Sequence, residues 1–535
     1  MFEWCVQSLR VFGSLSGGRF ANPVAFVLWL AFVSAALMSC SSGSKDEPVA
    51  GSTAIQQSSG GAGATTSTGA VVASGGTIGG SIPTGGVVST ATGGTTSVAT
   101  GGTTAAEPNT MCTIASTLTM STAISTVGIV EWSTDLAGLD KAYIEFGLDQ
   151  NYGMQAPVDL AEPNFRTLLL GMKPDHVYHY RVVAMAGSDV CTGDDNTLNT
   201  GSMPTDLGLL DLTINTPQPD KVAQGFIMAG FYMNGPAFII DADGDYVWWF
   251  DSGNITRARM SYDGKSMWTQ ALNWTMIGFG GGAGVSPGGN PVIHHISMDG
   301  MDEQIYGLAE FGDPTHDFDV TPDGSYISPQ FDADGCMTIV ERTADGQLHD
   351  IIASSQVNPQ AVSGCLVNSI HYWPSDDSIT YSDLPHNTYV KMTRAGEVQW
   401  VLGGANSTFT QGDAITWHGE HGHQLISPTR FLMFNNGVNP WGGPTDGPTS
   451  IVYEVELDEA TNTATRVWQY DGGLQTTVFG DAQRLPNGNT LVNYGTKNTF
   501  HEADPDSALV RSITWTGASI MYLEWRHSLY GPPDR

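Results

Sequence analysis

Basic residues are what this chain has least of. Lys and Arg number 21 against 54 Asp and Glu, a formal charge of −33, and the few cations are scattered. Nucleic-acid recognition depends on clustered Lys and Arg that neutralise phosphates, so nucleic acid is excluded as a partner. The acids are spread along the chain rather than gathered in a tail, which fits solubility and resistance to association. Helical periodicity of any length is also missing, which excludes a helical core. Long apolar runs are absent but for one, the sixteen residues from Pro23 to Met38, shorter than the ~20 that span a bilayer.

That run follows Arg10 and Arg19 and ends in Leu37-Met38-Ser39-Cys40. The pattern reads as a lipoprotein-type signal peptide over residues 1–39, with Cys40 as the lipidated N-terminus after cleavage. An uncleaved membrane helix is the alternative reading. One acyl chain binds a membrane only marginally, so anchoring needs the several chains a lipoprotein receives. Ser41 resembles the residue that sorts other lipoproteins to the outer membrane, so the expected location is that membrane, on its periplasmic face or at the cell surface. Residues 40–108 are Gly, Ser, Thr and Ala, with Thr-Gly-Gly units opening at Thr84, Thr92 and Thr100. Such a segment cannot bury enough surface to offset ordering and is expected to be a flexible tether.

Of six cysteines, Cys5 lies in the leader and Cys40 takes lipid. The remaining four form two expected disulfides in an oxidising compartment, Cys112 with Cys191 and Cys336 with Cys365. Metal ligation is the weaker reading, since no pair shows the close spacing of a zinc site.

Two all-β units follow the tether. Residues 109–204 alternate at period two, as in Val127 and Ile129, Ile144 and Phe146, or Tyr178, Tyr180, Val182 and Ala184, which marks half-buried strands of a β-sandwich. Residues 205–535 repeat one phrase, a turn with Gly before an alternating strand: Asp243-Gly244, Asp263-Gly264, Asp323-Gly324, Ala395-Gly396, Asn487-Gly488 and Thr516-Gly517. Each reads as a hairpin turn, and their recurrence predicts a β-propeller. Six blades would hold about 55 residues each, with seven as the alternative count.

The candidate chemistry is histidine, an imidazole being both nucleophile and proton shuttle near neutral pH. The densest group is Trp417-His418-Gly419-Glu420-His421-Gly422-His423; His316 and His371 sit in other polar settings. For any one of them a structural hydrogen bond is the plain alternative. Zinc held by His418, His421 and His423 is another, but these three lack a distant partner.

Two resemblances sharpen this reading. Leu170, Pro174, Tyr178, Tyr180 and Val182 resemble the Leu-x-Pro and Tyr-x-Tyr-x-Val pattern of fibronectin type III domains, which implies a spacer or adhesion module. The propeller region resembles the bacterial arylsulfate sulfotransferases, which are six-bladed. The matching phrases are Thr315-His316-Asp317-Phe318, Asn368-Ser369, Gly396 to Gly404, His421 ahead of Phe434-Asn435-Asn436-Gly437, Ser450 to Leu457 and Gly480 to Asn489.

The second resemblance implies transfer of a sulfuryl group from an aryl sulfate to a phenol. His421 is then the nucleophile that is transiently sulfated, His316 a sulfuryl binder and proton-transfer group, and Asn368 an orienting donor. It implies no cofactor and no metal in the step. The chain departs from the family at two donor positions: Leu366 stands where the family has a His, and Asp383-Leu384-Pro385 follows Ser382 where the family has an Arg. His371 and His386 are the nearby substitutes. A non-catalytic propeller that binds a ligand or protein at the cell surface is therefore the second hypothesis.

Overall fold

The computed structural model describes residues 112–534 apart from 233–234, 272–291, 332–335, 360–365, 413–414 and 439–446. The leader, Cys40, the tether and Cys365 lie outside the described residues. Those described belong to one compact unit, Pro108–Arg535. It is built almost wholly of strands, with helices of four residues at most, and no described helix is long and apolar enough to cross a membrane.

The first two sheets join Ile114–Met120, Gly128–Thr134 and Thr167–Leu169 on one side, and Met154–Pro157, Lys141–Gly147, Val177–Ala186, Asp189–Thr192 and Asn196–Asn199 on the other. Their alternating apolar residues meet in one core that includes Val130, Trp132, Ile144, Phe146, Tyr178, Tyr180 and Val182. The hydroxyl of Tyr178 accepts the Lys173 amide at 2.9 Å. Cys112 and Cys191 are disulfide-bonded across 79 residues. Cys336 is also disulfide-bonded, its expected partner Cys365 being outside the described residues.

This pair of sheets is seated firmly on the sheets that follow. Ile124, Val127 and Leu170 join the core of the next region, and the Tyr530 hydroxyl bonds to the backbone of Leu168 and Leu170 at 3.0 and 2.8 Å. The Lys173 ammonium enters a cradle of Asp241, Asp243 and Asp245 at 3.2, 2.6 and 2.6 Å. Burial disfavours its charge, but the bonds to Asp243 and Asp245 outweigh that and raise its pKa.

From Thr213 onward the described strands form six sheets of four or five strands, antiparallel but for a short parallel edge at Thr410–Gln411. In three of them the strands follow one another without interruption from the innermost outward, as in Val367–Trp373, Ser378–Asp383, Thr388–Thr393 and Val398–Gly403. The turn phrases precede strands as read from sequence, with one exception. Thr516-Gly517 is followed by a crossing segment, and the next strand, Leu523–Arg526, pairs with Phe226–Gly230 of the first sheet. The alternation of Met521 and Leu523 imitated a hairpin because the crossing segment is itself buried. The other end of the chain closes in the same sense, Thr213–Asn215 pairing with Leu509–Thr514 of the last sheet.

Each sheet has one inner edge: Ile255–Met260, Asp319–Val320, Val367–Trp373, His423–Ser427, Asp481–Arg484 and Leu523–Arg526. An edge strand carries N–H and C=O groups without a ladder partner, which buried need one. Side chains of neighbouring inner edges supply them in a closed circuit. Arg526 donates to Met260 O at 2.6 Å, Arg259 to Phe318 O at 3.0 Å, and Asp317 and Asp319 accept the amides of Ile370 and Tyr372 at 3.0 and 2.7 Å. Asn368 donates to Glu420 O at 2.8 Å, Gln424 accepts the Arg484 amide at 2.7 Å, and Asp481 and Gln483 accept those of Leu523 and Trp525 at 3.1 and 2.7 Å.

Gln483 also donates to Trp525 O at 3.0 Å, so one amide satisfies both groups of a residue in the closing strand. Gln483→Leu is expected to lower stability by about 1–3 kcal/mol, the cost of an orphaned buried donor. The checks are the urea midpoint and faster hydrogen exchange at the Trp525 amide; an unchanged midpoint would contradict this account of the circuit.

Candidate functional site

His421 enters the molecule on a segment shaped by two glycines. Gly419 has φ +71°, and a Cβ on Gly422 would lie 2.0 Å from an Asp481 carboxylate oxygen, so only glycine lets the segment approach. The His421 amide donates to Phe434 O at 3.1 Å, and the Gly422 amide to Gly480 O at 3.0 Å. The ring is held at both nitrogens. Nδ1–H donates to Asn436 Oδ1 at 2.7 Å, and Nε2 accepts the Phe479 amide at 3.0 Å. Burial pushes its pKa down to about 4, against small upward pulls from Asn436 and Gly419.

His316 sits in the left-handed region at φ 58°, a conformation uncommon for a residue other than glycine. Its Nδ1 is 2.7 Å from the Thr315 hydroxyl. Burial, and then the nearby His421 ring, push its pKa down to about 3. The two histidines are thus neighbours, each held neutral chiefly by burial, which disfavours the charged imidazolium.

Asn368 is close by but committed. Nδ2 donates to Glu420 O, Oδ1 accepts the Ser382 hydroxyl at 2.5 Å, and its carbonyl accepts the Tyr522 hydroxyl. Its side chain orients the peptide that carries His421. Glu420 itself is fully buried, and that burial, with Asp383 near, raises its carboxyl well above the usual range.

The other histidines of the motif diverge. His423 bonds to the hydroxyls of Ser369 and Thr380, and burial lowers its pKa to about 3. With its two ring nitrogens held in this way, and those of His421 engaged elsewhere, His418, His421 and His423 do not converge as a zinc set. Among the described residues the one acidic or histidine group with metal-like spacing is Asp241, Asp243 and Asp245, the cradle already entered by Lys173. Leu366 and Leu384 prove to be partners, the Leu384 amide donating to Leu366 O at 3.0 Å. His386 lies 2.9 Å from Asp383, which raises its pKa, and His371 lies 3.6 Å from Asp319.

Cations do reach the centre, from a strand that sequence reasoning passed over. Arg257 contacts Asp317 at 3.2 Å and Asp481 at 2.9 Å and lies 5.1 Å over the Tyr522 ring; Arg259 lies 3.5 Å from Asp319. Together with His371, His423 and Asp481 they line a recess in the middle of the sheets. Burial raises Asp317 to about 6 despite both arginines. The readable signal was Arg257-Ala258-Arg259 at strand period in a chain poor in basic residues. Asn436 and Phe479 were also missed, although Asn436 lies in a phrase that had been noted.

Residues 366–528 match the family model described as arylsulfotransferase (ASST). The matched stretch covers less than half of the chain. It contains Asn368, His421, Asn436 and Phe479, while His316, Arg257 and Arg259 precede it. No curated protein matches the chain. Among solved structures, the periplasmic gluconolactonase of Pseudomonas aeruginosa is 13% identical, covering 57% of this chain and 99% of its own, with a TM-score of 0.36. A 6-phosphogluconolactonase candidate from Bacteroides uniformis is 11% identical over 56% of this chain and 99% of its own, with a TM-score of 0.33.

The buried histidines set an acid limit on stability. His423 stays neutral in the folded protein down to about pH 3, whereas the unfolded chain takes up that proton below its ordinary value near 6.5. The unfolded state therefore binds more protons in that window, and stability falls as pH drops through it. Relative to His423→Gln, the wild type is expected to lose on the order of 1 kcal/mol per pH unit between 6.5 and 4. Chemical denaturation of both proteins across that range checks this, and parallel curves would contradict it.

Proposed function

We propose that the chain is an aryl sulfotransferase whose six sheets are the blades of a propeller and whose nucleophile is His421. The observation that carries the reading is that an arylsulfotransferase-family match covers a histidine which is buried and neutral, bears its proton on Nδ1 and has a second neutral histidine, His316, near it. In the proposed reaction Nε2 of His421 forms a bond to the sulfur of an aryl sulfate. The bond from sulfur to the aryl oxygen breaks, and its electron pair leaves as phenolate, which gains a proton. A second phenol then gives up its proton, attacks the same sulfur through oxygen and releases Nε2. Splitting one displacement into two in this way produces ping-pong kinetics. His316 is assigned to sulfuryl binding and proton transfer, and Asn368 to orienting the nucleophile's peptide.

The remaining assignments belong to the same proposal. The first two sheets act as a fibronectin type III-like spacer, and the chain is exported and held to the outer membrane by lipid on Cys40. A second reading is favoured by one observation: Leu366 and Leu384 fill both missing donor positions, and Arg257 already spends its charge on Asp317 and Asp481. On that reading the propeller binds a ligand or a protein without turning it over.

Turnover of 4-nitrophenyl sulfate with phenol as acceptor decides between them. The expected outcome is nitrophenol release that requires phenol and falls by ~10³-fold or more in His421→Ala, the scale seen when a nucleophile is removed. The acid limb of kcat/KM is expected near pH 4 rather than 6.5, following the lowered His421 pKa. A folded protein without turnover would leave the binding reading.

A further inference from the structure

His421 and His316 retain only 4% and 7% of their exposure, and Asn436 none. A nucleophile so enclosed cannot meet a substrate without movement, and the contacts around it show which part holds it shut. Asn436 Oδ1 accepts the proton of His421 Nδ1 at 2.7 Å, while Asn436 Nδ2 donates to Thr476 O at 2.9 Å and to Phe479 O at 2.8 Å. The Phe479 amide in turn donates to His421 Nε2 at 3.0 Å. Three residues therefore close a triangle, and its third side is bonded to the lone pair that has to attack sulfur.

The segment that supplies this bond is under local constraint. Phe479 has φ 65°, an outlier for a bulky residue. Gly480 follows at φ 133°, where a Cβ would lie 2.3 Å from the Phe434 ring. The Phe479 ring is partly exposed and packs edge-on against Tyr232 at 5.5 Å. Thr477 is exposed. Strained backbone held by contacts that over-determine it clusters at active sites, ligand clamps and switch regions.

We propose that Phe479 is a cap on the nucleophile and Asn436 the positioning residue that sets it, fixing the His421 tautomer and holding the Phe479 peptide over Nε2 with one side chain. Opening the site means withdrawing residues 476–480, which breaks the Phe479 bond to Nε2 and frees that lone pair while the Nδ1 bond to Asn436 keeps the ring in place. The proposal rests on His421 being the nucleophile, but its test does not require turnover.

Acylation of histidines by diethyl pyrocarbonate, read by peptide mass spectrometry on the full chain, reports the free lone pair of each imidazole. Asn436→Asp keeps the acceptor for Nδ1–H and turns the two donors to the 476–479 carbonyls into a repelling oxygen. At about pH 8, where the imidazole is neutral, His421 is expected to label about tenfold faster in Asn436→Asp than in the wild type, the scale of one lost hydrogen bond. His423, held by Ser369 and Thr380, is expected to stay unlabelled in both, which shows that the fold has not opened.

Equal His421 rates with His423 protected would overturn the cap. A second measurement stands even if the variant does not fold: nitrogen NMR of histidine-labelled wild type is expected to place the His421 proton on Nδ1. A proton on Nε2 is incompatible with donation from Phe479 and overturns the proposal. Slow wild-type labelling without sulfotransfer would sink the proposed activity and leave the cap standing. Sulfotransfer through a His421 that labels as fast as free imidazole would do the reverse.

Discussion

Six sheets that turn one edge each toward a common centre bring together six rows of buried backbone groups without ladder partners. Everything else at the centre of this protein follows from how those groups are satisfied. The answer is a circuit in which Arg526, Arg259, Asp317, Asp319, Asn368, Gln424, Asp481 and Gln483 each bond to the backbone of the next inner edge. A circuit of this kind closes only if the last sheet is complete, so the two crossing pairings, Thr213–Asn215 with Leu509–Thr514 and Leu523–Arg526 with Phe226–Gly230, hold the centre as well as the rim.

The candidate site inherits its chemistry from that circuit. Asn368, one of its links, holds the Glu420 carbonyl and so fixes the peptide that precedes His421. Arg257 balances Asp317 and Asp481, which are themselves held in place by backbone amides. The burial that makes the polar links necessary also keeps His316, His421 and His423 neutral far below their ordinary range. A histidine kept neutral has its lone pair at every physiological pH, which suits a nucleophile.

Two features are shaped by local exchange rather than by the circuit. Leu366 and Leu384 stand where donors were expected, and they are joined through their backbones, so the two departures lie at one spot. His316 and Phe479 both have left-handed backbone, and the Phe479 amide donates to His421 Nε2. Each of these residues costs something in backbone energy that its surroundings must offset.

Much of this was legible in one dimension. Period-two alternation and recurring Gly turns marked the described region as all-β, the alternation of Tyr178 and Tyr180 put both in the core of the first sheets, and the resemblance to the arylsulfate sulfotransferases singled out His421 from the Trp417–His423 cluster. Those signals survive because a strand's two faces and a turn's left-handed residue are local properties. Thr516-Gly517 misled because alternation does not say which sheet a strand joins. Asn368 was read as an orienting donor, and its side-chain partners lie 52 and 14 residues away. Arg257, Asn436 and Phe479 act on residues 60, 15 and 58 positions distant. The sequence by itself determined the strand-and-turn grammar, the acidic surface and the candidate nucleophile. Only the tertiary structure decided which polar side chains pair, which lone pair is capped and where the cations go, because burial and hydrogen bonding between distant inner edges are properties of the closed assembly of sheets.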